Sequence, residues 1–162
     1  LTSNQDVYSC GYNDGGQLGR KVGDIFSSSL QKIEDLSNII RIECGDYHSL
    51  CIDINNDLFV FGNNAYGQLG LGDTEPRSTP VKHPSLSNII DISSRGRHTF
   101  VKTSNNEIFA FGLNDCRQLG IKTEHDKQFK PIRVFEDNED IWSSNHLKSK
   151  AKSARSIFPN ED

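Results

Sequence analysis

Gly62-Asn63-Asn64-Ala65-Tyr66-Gly67-Gln68-Leu69-Gly70 has two counterparts in this chain: Gly11-Tyr12-Asn13-Asp14-Gly15-Gly16-Gln17-Leu18-Gly19 before it and Gly112-Leu113-Asn114-Asp115-Cys116-Arg117-Gln118-Leu119-Gly120 after it. The copies are 51 and 50 residues apart. A nine-residue pattern at a near-constant step is an internal repeat, and the period decides the fold before any single element does.

Around each copy the neighbours repeat too. Val7-Tyr8-Ser9-Cys10, Leu58-Phe59-Val60-Phe61 and Ile108-Phe109-Ala110-Phe111 are short aromatic and β-branched runs ending at Gly, which reads as strand then turn. Asn38 to Cys44 matches Asn88 to Ser94, and His48 to Ile52 matches His98 to Lys102. Asn55-Asn56-Asp57 and Asn105-Asn106-Glu107 read as tight turns, because Asn tolerates the left-handed backbone. After each Gln-Leu-Gly a polar loop is expected, over 20–29, 71–79 and 121–130; Pro76, Pro80 and Pro131 exclude a helix interior there. About four short strands per fifty residues predict an all-β architecture of propeller blades. The units run over about 7–57, 58–107 and 108–142. In the last unit, 132–135 and 140–142 are expected as strands.

Residues 143–162 differ in composition. Lys148, Lys150, Lys152 and Arg155 face only Glu161 and Asp162, and this basic tail is expected to be disordered. A helix over Ser143 to Arg155 has little apolar periodicity to support it. Over the whole chain 18 basic residues meet 22 acidic ones, a net charge of -4, which argues against nucleic acid as a partner. No apolar run is long enough to span a membrane. The chain lacks Met, even at its first position, and reads as a piece of a longer protein. Cys10, Cys44, Cys51 and Cys116 form no C-x-x-C pair, so no zinc site is expected; they are expected as reduced, mostly buried thiols of a cytoplasmic or nuclear protein.

The combined pattern, Gly45-Asp46-Tyr47-His48-Ser49 through Gly62 to Gly72, resembles the repeats of the regulator of chromosome condensation family, over about residues 7 to 142. That resemblance implies blades of a seven-bladed β-propeller, of which about three are present here. It also implies two kinds of role: exchange factor for the small GTPase Ran, seated on chromatin, or protein-interaction module attached to ligase, kinase or other domains. The chain departs from the pattern at Arg95-Gly96-Arg97-His98, where the Gly is shifted by one place, and at Arg117, which stands where Gly16 and Gly67 stand.

No catalytic, cofactor or metal constellation emerges. Gly11 to Gly16 has phosphate-loop spacing, but Gln17 and Leu18 follow where Lys and Ser/Thr are needed. His48 and His98 recur once per unit, as structural residues do, and are expected to bridge backbone groups of the neighbouring turn. His83, His125 and His146 have no partners at metal spacing. Gly11, Gly62, Gly112, Gly19, Gly70 and Gly120 are read as turn positions. Asn13, Asn64 and Asn114 with Gln17, Gln68 and Gln118 are expected to bond their own loops. Leu18, Leu69 and Leu119 are expected to bury against the next blade. Residues outside the framework are the candidate partner contacts: Asp73, Glu75 and Arg77 on the second loop, Arg95 and Arg97 beside His98. The expected function is a non-catalytic protein-interaction module, with part of a Ran-type exchange factor as the alternative. Its partners would be proteins, a small GTPase or missing blades among them, because end blades expose edges that must be covered.

Overall fold

A computed structural model describes residues 1–134 apart from 22, 24 and 122. The expected strands at 132–135 and 140–142 lie partly and wholly outside this range. The tail at 143–162, with His146 and the helix reading, also lies outside it.

All regular structure among the described residues is β-strand. The strands are β1 (Tyr8–Tyr12), β2 (Phe26–Lys32), β3 (Ile39–Cys44), β4 (His48–Asp53), β5 (Leu58–Gly62), β6 (Arg77–Lys82), β7 (Ile89–Arg95), β8 (His98–Thr103), β9 (Ile108–Leu113) and β10 (Lys127–Arg133). They make two four-stranded antiparallel sheets, β3-β4-β5-β6 and β7-β8-β9-β10, and a two-stranded piece, β1-β2. The fold is all-β, an arc of propeller-type blades. Each sheet begins half a unit after the Gly-rich motif, so one sequence unit straddles two blades.

Part of each expected polar loop is in fact the outer strand. β2, β6 and β10 enter the sheets at residues 26, 77 and 127. Pro80 and Pro131 sit inside β6 and β10, at the interruptions in register between Val60 and Gly62 and between Gln128 and Ile132. Both strands lie at a sheet edge, the place where a missing N–H does least harm. The prolines ruled out a helix correctly but not an edge strand.

The core lies between blades rather than within them. Leu50, Val60 and Leu69 of the second blade meet Ile92, Val101 and Phe111 of the third. Val7 and Ile33 of the first piece meet Ile39, Cys51 and Phe61 of the second blade. Leu18, Leu69 and Leu119 are all buried. Full burial of such a side chain contributes roughly 1.5–3 kcal/mol.

The cysteines are free, but only Cys51 is buried, where burial pushes its thiol up to about 12. Cys10, Cys44 and Cys116 are exposed, contrary to the expectation of mostly buried thiols. Cys44 ends an edge strand, Cys116 lies in a loop, and Cys10 takes the place of Phe61 in a piece with only two strands.

Candidate functional site

The strand directions put residues 45–47, 62–76, 95–97, 112–121 and 123–126 at one end of the blades. This loop end carries the Gly-rich motif, whose geometry repeats closely. Asn13, Asn64 and Asn114 each accept from the backbone N–H of the Leu five residues on, at 2.9, 3.0 and 3.1 Å. Gln17, Gln68 and Gln118 each accept from the N–H two residues back, all at 2.9 Å. Gly16, Gly67 and Arg117 all have positive φ, at 84°, 78° and 58°. Gly is required at the first two for a second reason. A Cβ on Gly16 would lie 2.7 Å from Ser78 Cα, and one on Gly67 would lie 2.8 Å from Phe129 Cα, each on the next blade's outer strand. Arg117 is exposed and its guanidinium donates to the Thr123 carbonyl at 2.6 Å.

His48 is buried between the second and third blades. Its Nε2 lies 2.9 Å from both Thr99 Oγ1 and Ser94 Oγ. Thr99 donates its own hydrogen to the Gln68 carbonyl at 2.8 Å, so its oxygen accepts from Nε2–H. The ring is therefore the Nε2–H tautomer, and Nδ1 is a buried acceptor with no partner. Burial, then the neighbouring His98, lowers its pKa to about 3. The ring ties blade to blade through hydroxyls, not through backbone groups of a turn. His98 is half-buried, edge-on to Phe100 at 5.7 Å, and burial lowers its pKa as well. His125 is exposed.

Two structural roles escaped the sequence reading. His83 is buried, with Nε2 donating to the Gly70 carbonyl at 3.1 Å and Nδ1 accepting from Leu86 N–H at 3.2 Å. It replaces the apolar Ile33 and Val134 of the other units, so no repeat flagged it. At the end opposite the loops, Asp6–Lys32, Asp57–Lys82 and Glu107–Arg133 form one ion pair in each unit, at 2.8, 2.6 and 3.4 Å. An acid just before each aromatic strand and a base 25 or 26 residues later was the available signal.

The candidate partner contacts separate into two groups. Asp73 accepts from Arg77 at 2.7 Å, from the Glu75 N–H at 3.0 Å and from Asn64 at 2.9 Å. Burial acts to raise its carboxyl, but these bonds hold it below its usual value. This loop is braced from within. Arg95 is exposed, and Arg97 lies with its Cζ 4.7 Å from the centre of the Tyr66 ring and donates to the Tyr66 hydroxyl at 2.8 Å. Lys127, which the sequence did not single out, places Nζ 4.8 Å from the same ring. Among the described residues, neither Arg95, Arg97 nor Lys127 is in an ion pair, and no group of three His, Cys, Asp or Glu is placed to hold a metal. Among the described residues, no helix is long and apolar enough to cross a membrane.

Comparison with known proteins agrees with this architecture. Residues 4–52 and 55–101 match the model of the regulator of chromosome condensation (RCC1) repeat. The ultraviolet-B receptor UVR8 of Arabidopsis thaliana is 40% identical over 81 residues, 49% of this chain and 18% of that protein. The RCC1-like G exchanging factor-like protein of Mus musculus is 36% identical over 87 residues, 51% of this chain and 19% of that protein. The chain thus aligns with about a fifth of the length of these relatives. Human WBSCR16 superposes with a TM-score of 0.74 at 26% identity, over 85% of this chain and 37% of that one. Yeast RCC1 (Prp20), in its complex with Kap60, superposes at 0.77 and 18% identity over 85% of this chain and 34% of that one, a likeness of fold.

Proposed function

Because this chain belongs to the regulator of chromosome condensation repeat family, we propose that it acts as a non-catalytic protein-interaction module within a propeller. The observation that carries this reading is a division of labour along the repeat. Asn64, Gln68, Leu69, His48 and Thr99 are used up in bracing turns and joining blades. The charged residues that vary between copies, Arg95 and Arg97 above all, stand at the loop end with no ion pair among the described residues. Loops on a rigid scaffold are where partner contacts concentrate. We place the protein in the cytoplasm or nucleus and take residues 1–142 as the repeat region.

A second reading, part of an exchange factor for a Ran-type GTPase, draws on the likeness to the G exchanging factor-like relative. Release of a fluorescent GDP analogue from such a GTPase separates the two. The interaction reading predicts no change in release rate on adding the chain. Acceleration of tenfold or more would establish the exchange reading in its place.

A further inference from the structure

The two blade junctions differ in a way that packing does not require. At both, a hydroxyl on the incoming blade donates to the Gln carbonyl of the previous one: Ser49 to Gln17 at 2.9 Å and Thr99 to Gln68 at 2.8 Å. At both, a positive-φ Gly sits against the next outer strand, Gly16 on Arg77–Ser78 and Gly67 on Gln128–Phe129. Only the later junction carries Tyr66, Arg97 and Lys127. The earlier one has Gly15, Tyr47 and Pro76 at the matching positions; it closes with the Ser49–Gln17 bond and an edge-on contact of Tyr47 with Tyr12 at 6.4 Å, and lacks the bonds that His48 makes at the later one. A blade junction of this chain thus closes without a cluster of this kind, on the shared hydroxyl–carbonyl bond and other contacts.

The cluster is also positively charged on a chain of net charge -4. The cationic heads of Arg97 and Lys127 flank one ring centre at 4.7 and 4.8 Å, so they stand at most about 9.5 Å apart. Asp46 comes within 4.0 Å of a Cβ built on Gly96, and Asp126 precedes Lys127, yet neither is ion-paired with Arg95, Arg97 or Lys127. Lys127 also lines an open cleft with Gly72, Asp126, Phe129 and Lys130, two cations to one carboxylate. Successive side chains on one face of an extended strand are spaced about 7 Å. Two carboxylates at that spacing fit the two cations, and an apolar neighbour fits the cleft beside Phe129.

We propose that the Tyr66–Arg97–Lys127 cluster, with Arg95 beside it, docks an extended acidic segment of a partner protein. The proposal rests on the interaction-module reading and supplies the chemistry of its partner. Arg97 and Lys127 meet the carboxylates. Tyr66 holds Arg97 through its hydroxyl and ring and Lys127 through its ring, and the Ala65 carbonyl accepts from Lys127 Nζ at 3.4 Å, so both cations meet the ligand already ordered.

The test uses the full chain and a fluorescein-labelled peptide alternating glutamate and leucine, about twelve residues or ~40 Å long when extended. Anisotropy should show saturable binding that weakens as salt rises. Arg97→Gln with Lys127→Gln should weaken it at least tenfold. Arg97→Lys, which keeps the charge, should weaken it less than threefold, and Lys82→Gln at the opposite end should leave it unchanged. The inference is overturned if no saturable binding is seen, if the double variant binds as the parent does, or if an oligothymidylate of equal length binds more tightly than the peptide. Absence of peptide binding leaves the interaction-module reading standing, whereas acceleration of nucleotide release overturns that reading whatever the peptide does.

Discussion

Lowering the pH from 7 to 5 should destabilise this fold through one buried ring. His48 titrates at about 3 in the folded chain because burial disfavours its charged form. In the unfolded chain it titrates near ~6.5. The folded pKa is the lower one, so the unfolded state binds the extra proton as pH falls. Stability from this group is complete above about pH 6.5 and is lost progressively toward about pH 3. At pH 5 the loss is about 2 kcal/mol. His83 and His98 shift in the same direction through burial, so the total fall exceeds that of His48 alone. His48→Gln isolates it: the amide can donate to Thr99 and does not titrate. Urea unfolding at pH 7 and pH 5 reads the difference; with a slope of about 1–3 kcal/mol per molar, the parent's midpoint should fall by roughly 1 M more than the variant's. Parallel pH dependence in the two proteins would refute the neutral, blade-joining role assigned to His48.

Other perturbations follow from the same geometry. Gly67→Ala should cost about 3 kcal/mol, combining left-handed strain with a clash against Phe129 and Gln128; Arg117→Gly should change stability by less than about 1 kcal/mol, since relief of strain offsets loss of the bond to Thr123. Equal effects in urea unfolding would contradict the contrast drawn between the two positions. Thr99→Val removes the donor to Gln68 and an acceptor of His48, and should cost about 1–3 kcal/mol. A thiol reagent at pH 8 should label Cys10, Cys44 and Cys116 rapidly and Cys51 only after denaturant is added; rapid labelling of all four thiols would show that the core around Cys51 is open.

The repeat made most of the fold legible. Aromatic runs ending in Gly became β1, β5 and β9, and the Asn pairs became turns with Asn56 and Asn106 at φ of 62° and 63°. The outer strands were mostly illegible: Ile132 and Arg133 of β10 fell in an expected strand, but stretches such as Arg77-Ser78-Thr79-Pro80 are polar and interrupted by proline, and only pairing with β5 or β9 makes them strands. The ring bonds of His48 were half legible: recurrence marked it as structural, but its partners Ser94 and Thr99 lie about fifty residues away. Of the candidate contacts, Arg97 could be named from its turn. Lys127 could not, because only the packing of one blade on the next carries it to Tyr66. Asp73 and Arg77 looked free in the sequence, and their mutual ion pair appears only in three dimensions.

The central claim is that residues recurring between units hold the blades together while residues that vary at the loop end meet a partner. Paired thermal unfolding and peptide anisotropy on Arg97→Gln with Lys127→Gln, beside Leu69→Ala, test it most directly. Truncating buried Leu69 should cost about 2–5 kcal/mol of stability. The double variant should melt within about 3 °C of the parent, as expected for a loss below ~1 kcal/mol, while its peptide affinity falls at least tenfold. A double variant that melts as early as Leu69→Ala, or that keeps the parent's affinity, would contradict the claim.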